Sequence, residues 1–354
     1  MDPFVYTSLQ GRVVFGQGTL ARIADEVSLL GCSRAFVLSD PHHEKTAAAK
    51  ALELLGACAV GLSTDAAMHT PIEVTERVLE KLTGEAPDCL VSLGGGSTTG
   101  LSKALALRTG LPQIAVPTTY AGSEATPILG QTEQGRKTTL RSSKVLPRVI
   151  VYDVDLTLGM PARLSAISGM NAMAHAVEAL YAKDGNPVTS MLAEQAIAAL
   201  VRALPAIVAD TRNLEARSDA LFGAWACGNC LGTVGMALHH KLCHTLGGTF
   251  NLPHAETHTV ILPHAAAFNQ RGAPKALNRV ARALDVDSAG AGLFDLAESL
   301  SAPTSLKAIG MSESDLDKAA EMATSAPYWN PRPINRAEIR ALLDDAYHGR
   351  RPSV

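Results

Sequence analysis

This sequence has no basic block and no stretch of aromatics interleaved with arginine, and its formal net charge is only −3. It therefore lacks the electrostatic footprint expected of a partner for nucleic acid or anionic membranes. No uninterrupted apolar run approaches the roughly 18 residues expected of a membrane span. The opening stretch MDPFVYTSLQGRVVFG lacks the basic-then-apolar layout of a secretory signal. Cysteine is sparse and scattered, at Cys32, Cys58, Cys89, Cys227, Cys230 and Cys243. In a chain this long, such residues read as reduced, small core side chains of a cytoplasmic protein. Cys227 and Cys230 make one CxxC, without a partner motif or a thioredoxin-like setting. Two small residues on a buried helix are expected there. Internal repeats and low-complexity linkers are also missing.

What is present is a globular composition, 47% hydrophobic and 18% charged, in 354 residues. That length accommodates two domains. Up to residue 155, short β-branched runs alternate with helical patterns. Strands are expected at 34–40, 57–63, 89–95, 113–119 and 148–153. Strands separated by helices imply a parallel, Rossmann-like α/β sheet covered on both faces. Ligands of such sheets bind beyond the carboxyl ends of the strands. From 156 to 354 the strand signals fade and helical periodicity takes over, which predicts an all-α domain. Its helices are expected at 162–182, 188–209, 213–233, 235–247, 273–284, 290–301, 313–324 and 335–347.

Chemistry-bearing residues concentrate in two places. The first is the set of strand ends in the α/β half. Gly94, Gly95, Gly96 and Ser97 follow an apolar strand and open a helix, so their backbone N–H groups can approach a pyrophosphate. A tight turn alone would need glycine too. Thr118 and Thr119 end the next strand and offer hydroxyls to ribose or phosphate, or simply cap a polar loop. Asp40 ends an earlier strand. It can accept hydrogen bonds from a ribose diol, or cap the turn before Pro41.

The second place is a histidine cluster. Six of the eleven histidines lie between residues 239 and 264, and His175 precedes them. Asn171 and His175 share a helical face, as do His240 and His244. Asn171, His175, His240 and His254 could assemble a metal site, since imidazoles suit zinc or iron(II). An amide in place of a carboxylate removes the only anionic ligand, which argues against one. His254 reads as part of a Gly-rich connection. His239, His258 and His264 read as structural or surface residues.

The motifs GGGSTTGLSK, PTTYAGSEATP, LPRVIVYDVDLTLGMP, NAMAHAVEA, HHKLCHTLGGTFNLPHAETHTVILPH and NPRPI occur in this order across most of the chain. Together they resemble the iron-containing alcohol dehydrogenase family. The usual family loop reads GGGSxxDxxK, and Gly100 stands here at its Asp. The family's metal-binding helix begins with Asp, and Asn171 stands here. Both departures resemble the branch that reduces maleylacetate to 3-oxoadipate in bacterial breakdown of aromatic compounds.

The resemblance implies a dinucleotide-binding domain, a helical domain, NADH as cofactor with NADPH as the alternative, a small dicarboxylate substrate and a homodimer. By position, Gly94 to Ser97 would hold the pyrophosphate and Asp40 would face the adenosine ribose. Thr118 and Thr119 would line the cofactor, with Lys137 near it. His175, His240 and His254 occupy family metal-ligand positions, and His244 matches a histidine near nicotinamide and substrate.

Reduction of a conjugated alkene through an enolate needs an acid and hydrogen-bond donors more than a Lewis acid. His244 is the first candidate acid, followed by His175 and Tyr120. His240, His254 and Asn171 are then substrate-binding, and no metal is required. Tyr328 and Arg332 are expected at the surface. Two competing readings are a metal-dependent alcohol or aldehyde dehydrogenase and an inactive nucleotide-binding sensor.

Overall fold

The computed structural model describes residues 3–9, 11–133 and 136–353, without the side chains of Glu44, Arg136 and Lys137. By internal packing the chain divides into two units. One runs from Leu9 to Met160; the other runs from Pro161 onward and includes the segment ending at Ser8.

The first unit is built on β1 (Arg12–Gly16), β2 (Ala35–Leu38), β3 (Ala59–Ser63), β4 (Cys89–Gly94), β5 (Gln113–Pro117), β6 (Ile128–Glu133), β7 (Arg136–Arg141) and β8 (Val149–Asp153). Six of these form one parallel sheet in the order β1-β8-β5-β4-β2-β3, while β6 and β7 pair as a separate antiparallel hairpin. The helices are α1 (Ile23–Leu29), α2 (Ala49–Leu55), α3 (Ile72–Glu85) and α4 (Gly96–Thr109). Side chains alternate across the sheet, as a period of two requires. Val37, Val91 and Val116 pack with Val27, Ala51 and Leu55 on one face. Phe36, Leu38 and Leu90 pack with Val78, Leu82, Leu101 and Leu105 on the other.

The five expected strands are all present. The sequence reading missed β1, whose RVVFG run has only Val14 buried, and the polar β6–β7 hairpin. The chain leaves β2 for β3 on one side, then returns to β4 on the other. The carboxyl ends of β2 and β4 therefore flank the topological switch, the usual ligand crevice of open α/β sheets.

The second unit contains α5 (Ala162–Ala179), α6 (Pro187–Ala209), α7 (Leu214–Thr233), α8 (Leu238–Phe250), α9 (His254–Asn269), α10 (Pro274–Leu284), α11 (Ala289–Ser299), α12 (Leu316–Thr324) and α13 (Arg336–His348). No strand occurs in it among the described residues. α5 is buried on all sides from Ser165 to Ala179, the pattern of a central helix. Small residues permit this. A Cβ at Gly169 would come within 2.5 Å of Leu204 on α6.

α6 is by length and composition apolar enough to cross a membrane. Glu194 and Arg202 interrupt it, and its Ala193, Ile197, Leu200 and Leu204 are buried in the unit. α9 corrects the expected Gly-rich connection at His254. Its HAETHTVILPH run contains β-branched residues and Pro263, which argue against a helix from propensity alone. Burial of every residue from Thr257 to Ala266 overrides that.

Candidate active site

In the α/β unit, β4 runs straight into the glycine loop. Gly94 has φ +154°, and a Cβ there would meet Thr98 Oγ1 at 2.4 Å and Asp40 Oδ2 at 3.1 Å. A Cβ at Gly95 would meet Thr119 at 3.1 Å, whereas one at Gly96 would meet nothing within 4 Å. The first two glycines thus let the ends of β2, β4 and β5 converge, and the third leaves open space. Gly95 caps α4 without any side-chain hydrogen bond, and the first turn contains no acidic residue. The leading N–H groups of α4 therefore remain available to an anion. Thr118 N donates to Gly94 O at 3.0 Å. The hydroxyls of Thr98 and Thr118 are buried without a partner. Free helix N–H groups, open space at Gly96 and two orphaned hydroxyls fit a bound dinucleotide.

Asp40 is partly exposed and lies beside this loop. Its carboxylate accepts from His43 N at 3.1 Å and sits 2.9 Å from His43 Nδ1, so it does cap the following turn. Tyr120 is fully buried. Lys137 lies outside the described side chains.

The position of the family's loop Asp holds Gly100, where a Cβ would come within 2.2 Å of Thr70 Oγ1. Thr70 is itself left-handed, with φ 49°. Three residues on, Lys103 is fully buried. Its Nζ donates to Ser123 O at 2.6 Å, Thr126 O at 2.7 Å, Ile128 O at 2.9 Å and Thr126 Oγ1 at 3.0 Å. Burial lowers its pKa to about 7, against the attraction of Glu124. The sequence reading gave Lys103 no role, although it is the last residue of the glycine motif.

In the helical unit, α5, α8 and α9 bring the histidines together. His175 Nδ1 lies 2.9 Å from His240 Nε2, and His240 Nδ1 lies 2.7 Å from Glu178 Oε2. His175, His240 and Asn171 are buried, and Asn171 Oδ1 has no partner. His244 and His254 are exposed at the edge of the cluster. The His244 ring is 6.0 Å from that of His240, and the His254 ring is 4.4 Å from that of His258.

His258, read as structural or surface, is fully buried and lies within 5.2 Å of His240 by ring centres. His239 Nε2 meets His258 Nδ1 at 2.9 Å and Cys243 Sγ at 3.6 Å. Burial drives both imidazoles well below the ordinary histidine range. This trio gathers three metal-ligand atoms. The remaining nitrogens, His239 Nδ1 and His258 Nε2, have no partner. The outer hydrogen bonds that orient metal-bound imidazoles are thus missing.

His264 stands apart against Phe294, with burial holding its pKa near 4. Arg332 stacks over Phe268 and donates to Phe268 O, while Tyr328 packs on the apolar core. Cys227 and Cys230 are buried free thiols on α7.

Residues 10–154 match the iron-containing alcohol dehydrogenase family, and residues 165–347 match its C-terminal region. The chain is 56% identical to the maleylacetate reductase of Rhizobium sp. (strain MTP-10005), over 99% of this chain and 100% of that one. A crystal structure of maleylacetate reductase from Agrobacterium tumefaciens superposes with TM-score 0.97 at 54% identity, covering 99% and 100% of the two chains. An iron-containing alcohol dehydrogenase structure from Corynebacterium glutamicum gives 0.94 at 40% identity, covering 99% and 98%. With a doubly wound nucleotide unit, a histidine-bearing helical unit and matches along nearly its whole length, the chain belongs to the iron-containing alcohol dehydrogenase family of oxidoreductases.

Proposed function

We propose that this protein reduces maleylacetate to 3-oxoadipate with NADH and without a resident metal ion. The full-length similarity to maleylacetate reductases carries this reading. The α/β unit binds the cofactor. N–H groups at Gly96 and Ser97 hold the pyrophosphate, Thr118 and Thr119 line the site, and Asp40 accepts from the ribose hydroxyls. Lys137 belongs to the same proposal by its position. The cofactor supplies a hydride when bound.

The helical unit handles the substrate. Maleylacetate carries an alkene conjugated to its ketone, so reduction at the alkene places negative charge on the ketone oxygen before a proton is added beside it. His244, on the exposed side of α8, is the proton donor. His175 and His240 stabilise the developing enolate, while His254 and Asn171 hold the carboxylates. Tyr120 is a poor acid candidate, because none of its surface is accessible.

The donor set at the family's metal position does not fit a resident divalent ion. It offers three imidazoles and an amide, with no anionic ligand among them. The nearby carboxylate, Glu178, is spent on His240 and on the start of α8. One observation favours a metal-dependent reading: the buried Asn171 Oδ1 without a partner. NADH oxidation with maleylacetate, before and after chelation and alongside elemental analysis, tests the proposal. Absence of maleylacetate-dependent NADH oxidation would overturn the substrate. Stoichiometric metal whose removal abolishes activity would overturn the metal-free mechanism. Cytoplasmic location and a homodimer complete the reading.

A further inference from the structure

Maleylacetate carries two carboxylates, to which Asn171 and His254 offer an amide and an imidazole. A stronger anion-binding group stands on α8. Lys241 lies in the first turn of that helix, three residues before His244. Residues at that spacing are neighbours on a helix surface, with Cβ atoms roughly 5–6 Å apart. The half-buried Lys241 therefore adjoins the exposed His244.

Local physics gives no reason for a lysine there. The amino end of a helix carries partial positive charge, so a cation in its first turn is disfavoured. α8 has no acidic residue in its first turn to compensate. Glu178 is engaged by His240 and by the N–H groups of Ala237 and His239. Among the described residues no ion pair involves Lys241. Its Nζ instead sits 5.7 Å from the centre of the Tyr328 ring, which packs on the apolar core. The ring face attracts the ammonium without using its N–H donors, which are left for another acceptor. An anion beside Lys241 would be held by both the ammonium and the positive helix end, two features that otherwise oppose each other.

We propose that Lys241 is a substrate-binding residue, holding one carboxylate of the dicarboxylate while His244 acts on the carbon chain beside it. This rests on the reading of the histidine cluster as the reduction site. The lysine makes the site distinguish a dicarboxylate from a ketone with a single carboxylate.

Three acids test this by calorimetry: 3-oxoadipate, 3-oxohexanoate and 4-oxohexanoate. Each hexanoate keeps the ketone and replaces one carboxylate of 3-oxoadipate by a methyl. Lys241→Met keeps an apolar stem without the charge. It should weaken 3-oxoadipate roughly 10- to 100-fold, as for loss of a hydrogen bond to a charged group. One hexanoate should weaken similarly, and the other should bind as to wild type. Lys241→Arg should keep most of the affinity. In turnover, KM for maleylacetate should rise more than kcat falls, with NADH affinity unchanged. Equal weakening of all three acids would mark a distorted site and overturn the proposal, as would unchanged binding of 3-oxoadipate. If Met lowers the thermal midpoint, Lys241→Gln repeats the test with a polar substitute. A wild type that reduces maleylacetate and is indifferent to both substitutions defeats the proposal alone. A wild type inactive on maleylacetate defeats the functional reading, while binding of the three acids still reports on Lys241. If wild type binds none of them, both fail.

Discussion

Cofactor choice should follow the charge at Asp40. Its carboxylate lies at the switch between β2 and β4, with Oδ2 3.1 Å from where a Gly94 Cβ would stand. The side chain is 23% exposed, neither fully screened nor buried. Two unit charges about 4 Å apart interact by about 1 kcal/mol in bulk water and about 4 kcal/mol at an effective dielectric of 20. A 2′-phosphate beside Asp40 should therefore cost roughly 1–3 kcal/mol, or roughly 5- to 150-fold in affinity. Asp40→Asn retains an acceptor for His43 N, so the turn should survive while the charge goes. The assay is the ratio of kcat/KM for NADH over NADPH, at low and high salt. Wild type should favour NADH, Asn should narrow the ratio, and salt should narrow it in wild type only. A wild type preferring NADPH, or a ratio unmoved by Asn, would show that Asp40 is only a turn cap.

Asn171→Asp should raise the divalent metal bound after purification, measured by elemental analysis, without raising the reduction rate; unchanged metal content would refute the charge argument. His244→Ala should lower kcat roughly 10²–10⁴-fold while NADH affinity stays near wild type, and a near-normal kcat would move the acid elsewhere. His254→Ala should mainly raise KM for the dianionic substrate, read in the same steady-state assay. Gly100→Ala should lower the thermal midpoint, although alanine normally favours a helix interior by about 1 kcal/mol over glycine. Its Cβ would press on Thr70 Oγ1, 2.2 Å away, at a cost of roughly 1–3 kcal/mol. Adding Thr70→Ala should restore the midpoint, and failure to restore it would locate the strain elsewhere.

The features legible in the sequence are those where one residue type has few physical alternatives. Gly94 to Gly96 announce a strand end because backbone must approach backbone there, and five sheet strands announce themselves through β-branched runs. β1 stays hidden because a five-residue edge strand with one buried side chain leaves almost no pattern. α9 stays hidden because tertiary burial, not propensity, makes HAETHTVILPH helical. The histidines were visible as a group, but not their order. His258 lies inside the cluster, while His244 and His254 lie at its rim. Glu178 left no signal, since a glutamate in an Ala-rich helix reads as a solvated face. Its partners Ala237 and His239 are 59 and 61 residues away in sequence.

Lys103 has a consequence for how the cofactor loops keep their spacing. Three carbonyls and a hydroxyl converge on its Nζ, much as oxygens replace the hydration shell of a monovalent ion in a channel filter. Here the ion is covalently leashed to the helix that begins at Gly96. The segment from Ser123 to Ile128 cannot drift from that helix without stripping a cation of its ligands. The clamp never dissociates, needs no ion from the medium and has a reach fixed by four methylenes. The tether itself is proof against dilution and dialysis. Burial lowers the Lys103 pKa to about 7, however, so its charge is lost as pH rises through that value, which a bound potassium ion's would not be.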